Sequence, residues 1–378
     1  MCGIAGFYGF FNEALLDGMV AAIAHRGPDD QGSVFWKEQN GCIGLGHRRL
    51  SIIDLSSEGR QPMSVDCPLC GVSTPEPAGK KLWLVYNGEI YNYKELRAEL
   101  AARGHHFHSR SDSEVLLHLY TEKGLDMLAL LNGIFAFAIY DGRENGLPDG
   151  MQPKNIFLAR DGLGVKPLYY CEQESGFLFA SELKALLQYS QLPRELDFTA
   201  LHYYLAYLWS PAPHTPLKQV KKARPGEAFI VREGRIVRKW SFYDLPYGQN
   251  WSRKSETRIA EELNQYLEQA VERQMVADVP VGAFLSGGLD SSAVVAMMRK
   301  VRPNHRPTCY VIGFNDILDM DGSPQDLPYA SRVARHLNVN LQTIEVQPDM
   351  IENLERMLYY LDEPQADPAP INVLLIAE

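Results

Sequence analysis

The apolar pattern changes character part-way along the chain, and with a length of 378 residues that change points to two folding units. A single hydrophobic core seldom serves so many residues, whereas 46% apolar residues are enough to fill two. Up to about residue 60, strands alternate with turns, broken by a helical stretch at 15–24. Further helices are predicted at 93–103 and 113–123, the second started by Ser111 or Asp112 and carrying Val115, Leu116 and Leu119 on one face. Runs at 81–86, 134–140 and 155–160 read as core strands, and strands flanked by helices suit two sheets between helical layers. Beyond residue 279 the rhythm becomes strand (279–285), helix (293–299), strand (308–314), helix (329–337) and strand (341–346). That order predicts a doubly wound parallel sheet with its ligand at the strand C-terminal ends. Residues 190–250 carry Pro211, Pro213, Pro216 and Pro225 and read as the connection, with a hairpin at 229–241 turning at Glu233-Gly234.

Met1-Cys2-Gly3 places a thiol at the second position, so removal of Met1 joins a nucleophile to a free α-amine. With pKa values of about 8.5 for the thiol and about 7.7–8.0 for the amine, the amine can take the thiol's proton near neutrality, directly or through water. Asn87-Gly88-Glu89 ends an apolar run; the Asn87 amide and the Gly88 N–H are suited to an oxyanion. Arg49 offers a planar fork for a carboxylate. In the second half, Ser286-Gly287-Gly288-Leu289-Asp290-Ser291-Ser292 sets glycines and hydroxyls at a helix start, where backbone N–H groups and the helix dipole favour a pyrophosphate. It lacks the lysine of a Walker A loop. Each feature alone has a plainer reading: a small cysteine, an Asn-Gly turn, a surface arginine, a capped helix.

In combination they carry a resemblance. The motifs Met1 to Ile4, His25-Arg26-Gly27-Pro28-Asp29, His47 to Asp54, Asn87 to Asn92, Ser111-Asp112, Arg160 to Tyr169, Ala180 to Ala185 and the SGGLDSS loop occur in this order. The chain resembles the glutamine-hydrolysing asparagine synthetase family, in which a class II glutamine amidotransferase domain precedes an ATP-pyrophosphatase-type synthetase domain. The resemblance implies an α+β first domain, an Ntn-hydrolase-like four-layer αββα sandwich at 2–210. A connection follows at 211–254. The α/β second domain at 255–378 would be a doubly wound parallel sheet like that of adenine nucleotide alpha hydrolases.

By the same resemblance Cys2 is the nucleophile, and Asn87 and Gly88 form the oxyanion hole. Arg49 holds the glutamine α-carboxylate beside the backbone of Leu50, Ser51, Ile52 and Ile53, Asp112 takes the α-ammonium, and Glu89 shares the pocket. Phe284, Leu285 and Ile312 border adenosine. Ser286, Gly287, Gly288, Asp290 and Ser291 hold phosphates, with Asp290 the candidate Mg²⁺ ligand. The implied reaction is ATP-dependent amidation of aspartate with ammonia from glutamine. Rival readings are amidation of another carboxylate, as in surface-sugar or β-lactam chemistry, and a non-catalytic binding fragment. Family members continue into a Gly-Glu-Gly-Ser-Asp-Glu type segment, which this sequence does not contain before Glu378, so the ATP site is expected to be incomplete. A homodimer is a further family expectation.

A net charge of −10 argues against nucleic acid or an anionic membrane as partner. Lys218, Lys221, Lys222 and Arg224 read as a solvated loop. Apolar runs too short to span a bilayer, together with a mechanism that uses Cys2, point to the cytoplasm. Six scattered cysteines read as reduced thiols. Cys67-Pro68-Leu69-Cys70-Gly71 resembles half of a zinc knuckle, but tetrahedral zinc needs two more ligands and there is no second CxxC. The 62–81 segment therefore reads as a surface insertion.

Overall fold

A computed structural model describes residues 1–65, 67–70, 77–144, 152–248, 252–314, 326–346, 350–365 and 369–377. It divides into a unit of Met1–Pro246 with Asp362–Pro364, and a second of Tyr247–Leu361 with Gln365–Glu378.

The first unit runs β1 (Gly3–Gly9), α1 (Glu13–Ala22), β2 (Asp30–Glu38), β3 (Gly41–Arg49), β4 (Leu82–Ile90), α2 (Tyr93–Ala102), α3 (Asp112–Lys123), β5 (Gly133–Asp141), β6 (Asn155–Arg160), β7 (Tyr169–Gln173) and β8 (Gly176–Ala180). Then come α4 (Leu183–Leu186), α5 (Phe198–Tyr207), β9 (Lys221–Lys222), β10 (Glu227–Arg232) and β11 (Arg235–Ser241). One antiparallel sheet has the order β2-β3-β1-β8-β7-β9, the other β11-β10-β6-β5-β4.

The alternation of side chains along each strand explains the layering. In β1, Ile4 and Tyr8 join Phe177 and Phe179 of β8 against Val85, Ala138 and Leu158 of the other sheet. Ala5 and Phe7 face the opposite way, onto Leu16, Met19 and Val20 of α1. Strand β1 is buried along its whole length because it is covered on both faces. Helix α3 packs on β4, and α2 packs on α3. The result is the expected αββα sandwich.

One sequence expectation holds and two shift. The proposed hairpin forms, turning at Glu233 and Gly234 with positive φ, and β10 pairs with β6, so this part of the Pro-rich stretch is sheet. Lys222 is not solvated: β9 pairs with β7, and its buried Nζ donates to the Ser210 carbonyl at 2.5 Å. The described residues of the 62–81 segment do not form a simple surface insertion, since Met63, Val65, Cys67 and Cys70 are buried and Met63 bridges to Leu84 of β4.

The second unit comprises α6 (Glu256–Gln274), β12 (Ala283–Phe284), α7 (Leu289–Val301), β13 (Thr308–Phe314), α8 (Asp326–Leu337), β14 (Asn340–Val346), α9 (Met350–Leu361) and α10 (Ala369–Ala377). Its sheet is parallel in the order β12-β13-β14, with Leu285, Val295, Cys309, Val311 and Ala330 at its core. The 279–285 run yields only a two-residue strand, and α7 begins at Leu289, four residues ahead of the expected start. Among the described residues no helix is long and apolar enough to cross a membrane.

Candidate active site

Strand register places the thiol. Gly3 pairs with Arg48, so Cys2 emerges beside the end of β3, where its Sγ accepts the Leu50 N–H at 3.4 Å and lies 3.6 Å from the Leu50 carbonyl oxygen. Burial raises the thiol pKa, against the Leu50 hydrogen bond and the nearby amino terminus, which lower it. The amine involved in these shifts is that of Met1, whose own pKa burial lowers.

The Cys2 backbone is held from the side. Arg26 Nε donates to the Cys2 carbonyl at 2.9 Å, while its Nη1 meets Glu182 at 2.7 Å. Glu182 also meets His25 at 3.0 Å and Lys184 at 2.5 Å. Burial pushes the Glu182 pKa up, but hydrogen bonds from His25, Lys184 and Arg26 prevail and bring it to about 2. The His25-Arg26 and Ser181-Glu182 motifs therefore meet across the fold, and both brace the Cys2 end of β1.

Cys2 opens onto a cavity with about 530 Å³ of free space, part of it open to solvent. Arg49, Leu50, Ile52, Ile53, Asn87, Gly88, Glu89 and Asp112, all expected from the sequence, line it. Ser51 is not among the lining residues; its N–H donates to Asp29 at 2.7 Å and shapes the loop behind the wall. Asn87 is 1% exposed, and neither its Nδ2 nor its Oδ1 has a hydrogen-bond partner. A buried amide left unpaired is costly unless something arrives to pair with it. Gly88 is required by close approach: a Cβ there would overlap the Ile134 carbonyl and come within 2.7 Å of Phe135 Cα.

Arg49 is buried and clamped, its Nη1 on the Ser56 carbonyl at 2.7 Å and its Nη2 on the Asp54 carbonyl. Asp112, the first residue of α3, accepts the Tyr86 hydroxyl at 2.8 Å and the Ile90 N–H at 2.9 Å. Burial raises the Asp112 pKa, and burial together with Asp112 raises that of Glu89. Two acids crowded in this way favour a cationic group between them.

Sequence reasoning assigned no pocket role to Gln61, Tyr86, Ser111 or Lys166, which also line the cavity. Lys166 lies within the Arg160 to Tyr169 motif, and its membership there was the available signal. The Asp161 carboxylate gathers the N–H groups of Leu163, Val165 and Lys166 at 3.0–3.1 Å and turns the lysine inward.

In the second unit, Phe284 and Leu285 lead into the Ser286–Gly288 turn, and Leu285 N–H donates to the Tyr310 carbonyl of β13 at 2.9 Å. Phe284 is exposed and Leu285 buried. The hydroxyls of Ser286 and Ser291 lie 3.0 Å apart at the start of α7, and Asp290 is exposed in its first turn. Gly287 has φ +82, and a Cβ there would sit 2.5 Å from Ala330 N. A groove between α7 and α8, lined by Leu289, Ser292, Tyr329 and Arg332, includes Gly287 but none of the other expected nucleotide residues. Ile312 lies near the C-terminal end of β13.

The glutamine amidotransferase domain family matches residues 1–243, and the asparagine synthase family matches residues 262–378. A Methanocaldococcus jannaschii chain bearing the name of a glutamine-hydrolysing asparagine synthetase is 36% identical over 377 residues, covering 97% of this chain and 69% of the relative. Asparagine synthetase [glutamine-hydrolyzing] 1 of Bacillus subtilis is 33% identical, covering 99% and 55% respectively. Amidase chry2 of Gibberella zeae is 31% identical, covering 100% and 56%. The chain thus spans between about half and about two-thirds of the length of these relatives. It belongs to the glutamine-hydrolysing asparagine synthetase family, with an amidotransferase domain followed by an asparagine synthase domain.

Proposed function

We propose that this protein amidates the side-chain carboxylate of aspartate, using ammonia cut from glutamine and activation by ATP. The observation that carries the glutaminase half is the buried, unpartnered Asn87 amide in the same cavity as Cys2, Arg49 and Asp112. After Met1 removal, the α-amine takes the Cys2 proton and the sulfur attacks the glutamine side-chain carbonyl carbon. Asn87 Nδ2 and Gly88 N–H donate to the oxygen that becomes negative. The C–N bond breaks as ammonia leaves with a proton, and water hydrolyses the thioester to glutamate. Arg49 would take the α-carboxylate and Asp112 with Glu89 the α-ammonium.

This chemistry is assigned to residues 2–210 and the synthetase chemistry to 255–378. There the aspartate carboxylate attacks the α-phosphorus of ATP and releases pyrophosphate. Ammonia then attacks the acyl adenylate and displaces AMP. The α7 N-terminus, with Ser286, Gly287, Gly288 and Ser291, is suited to the phosphates, and Phe284, Leu285 and Ile312 to the adenosine. One exposed carboxylate beside two hydroxyls suits Mg²⁺, which keeps waters and takes its other ligands from nucleotide oxygens; Asp290 would hold it, and the ion would neutralise the departing pyrophosphate. We also assign a homodimer, to be checked by light scattering, and a cytoplasmic location, to be checked by fractionation.

The test is glutamate release from glutamine, with and without ATP and aspartate, for the native chain and Cys2→Ala. Cys2-dependent release with stoichiometric AMP supports the reading. No release from folded protein with Met1 removed, as read by intact mass, would leave a binding fragment. The relative named as an amidase favours a second reading, amidation of a different carboxylate. A panel of acceptor acids assayed for AMP release on the full-length protein separates the two.

A further inference from the structure

The fold supplies the two ligands that the CxxC segment lacks. Cys67 and Cys70 sit on a tight turn, closed by a Cys70 N–H to Cys67 carbonyl hydrogen bond of 2.9 Å, and both are free and buried. Two buried histidines converge on them: His105, in the loop after α2, and His118, in the middle of α3. His105 Nδ1 lies 3.8 Å from each sulfur, and His118 Nδ1 lies 3.2 Å from Cys70 Sγ and 3.0 Å from His105 Nδ1. All four donor atoms fall within 4.8 Å of one another. Zn–S bonds of about 2.3 Å and Zn–N bonds of about 2.0–2.1 Å give tetrahedral edges of about 3.3–3.8 Å. Four of the six separations, at 3.0–3.8 Å, are already near these edges, and the other two are within 4.8 Å.

A second observation comes from the far side of each ring. His105 Nε2 lies 3.0 Å from Glu122, and His118 Nε2 faces Glu114 at 3.6 Å. At hydrogen-bond distance the Glu122 carboxylate favours the proton on His105 Nε2, as carboxylates do behind metal-bound histidines, and Glu114 stands just beyond that distance from His118 Nε2, an arrangement that suits both Nδ1 atoms to face one point. With both protons on Nε2, the two Nδ1 lone pairs, 3.0 Å apart beside two thiols, would repel each other, and a cation at their meeting point would turn that repulsion into four bonds. The surrounding groups are fixed as well. Glu114 is anchored by the N–H groups of His108 and Ser109 at 2.8 and 2.7 Å. Arg143, buried in an ion pair with Asp141, donates to the Cys70 carbonyl at 2.7 Å.

We propose that Cys67, Cys70, His105 and His118 form a structural zinc site that ties the Cys67–Cys70 turn to α3 and the loop before it. Thiolate and imidazole ligands in a closed tetrahedron select Zn²⁺ over hard cations and leave no position for substrate. On binding, each thiol gives up its proton and each neutral imidazole donates its Nδ1 lone pair; no redox change occurs. Because α3 begins at Asp112, the same clamp steadies one wall of the candidate glutamine pocket.

The test reads metal, so its outcome is independent of the glutaminase proposal. The full chain, produced in zinc-supplemented medium and gel-filtered, should carry about one zinc per chain by mass spectrometry of the metal. Removal of that zinc by a strong chelator should lower Tm. Cys70→Ser and His118→Ala should bring zinc to background, while Cys67→His, which keeps a donor, should retain more. Should the variants not fold, cobalt added to the chelator-stripped native chain decides. A thiolate-to-cobalt charge-transfer band with tetrahedral d–d bands supports the site. Its absence, background zinc in the native chain, or full zinc in folded Cys70→Ser would overturn it.

Discussion

Asn87 is where the proposed oxyanion site is tested at a single side chain. Neither of its polar atoms has a partner to lose, so Asn87→Ala should leave Tm level or slightly higher. Loss of one oxyanion donor should cost about 10²–10³ in kcat for glutamate release, with KM for glutamine little changed. A variant whose activity and Tm fall together would mean that Asn87 is structural. Glu182 behaves in the opposite way. Its folded pKa of about 2 lies below its ordinary 4.5, so its contribution to stability is present above the unfolded value and lost as pH falls toward 2. The gap, at about 1.4 kcal/mol per pKa unit, is on the order of 3 kcal/mol. Urea titrations of Glu182→Gln should show a deficit near pH 6 that closes between about pH 4.5 and 2. A deficit constant over that range would remove the ionic account and leave only packing.

At the scale of elements, α3 joins the pocket to the histidine cluster, with Asp112 at its start and His118 along its length. Ser111 accepts the Ser113 N–H at 3.1 Å as its cap. Ser111→Ala should lower stability by about 1 kcal/mol and raise KM for glutamine by loosening Asp112; an unchanged KM would show that the Tyr86 and Ile90 bonds hold Asp112 without the cap. This helix was legible in the sequence because cap and apolar face coincide, as were the β4, β5 and β6 runs. The cavity residues visible from the residues alone were those with a chemical signature, a thiol at position 2, an Asn-Gly strand end and a fork-shaped cation, whereas Leu50, Ile52, Ile53, Glu89 and Asp112 were expected only through the family resemblance. Gln61 and Lys166 were not visible, because their place depends on the Met63–Leu84 bridge and on the Asp161 carboxylate gathering backbone N–H groups. His105 and His118 were missed for a related reason. They stand 35 and 48 residues from Cys70, with no local spacing to mark them, and the packing of the Pro68–Cys70 turn against α3 brings them together. Lys222 read as solvated because nothing local signals that two residues will close a sheet edge.

For the whole molecule, the proposed chemistry turns on one property of its intermediate: ammonia is a nucleophile only while it is unprotonated. With glutamine as the source, nitrogen leaves the thioester-forming step as neutral ammonia, so synthesis should depend on pH mainly through the groups around Cys2. With ammonium salt as the source, the neutral fraction rises about tenfold per pH unit below the ammonium pKa, and asparagine formation at fixed, subsaturating total ammonia should rise with it. Cys2→Ala separates the two routes on the full-length protein. It should abolish glutamine-dependent asparagine and glutamate formation, because no other thiol lines the cavity among the described residues. It should retain ammonia-dependent formation at the native rate and with the same steep pH dependence, because SGGLDSS and its sheet lie in the other unit. Glutamine-dependent synthesis by the native enzyme should also resist a trap that consumes free ammonia. Loss of both activities in a folded Cys2→Ala variant would mean that one site serves both reactions, and the division of chemistry between the two units would then have to be abandoned.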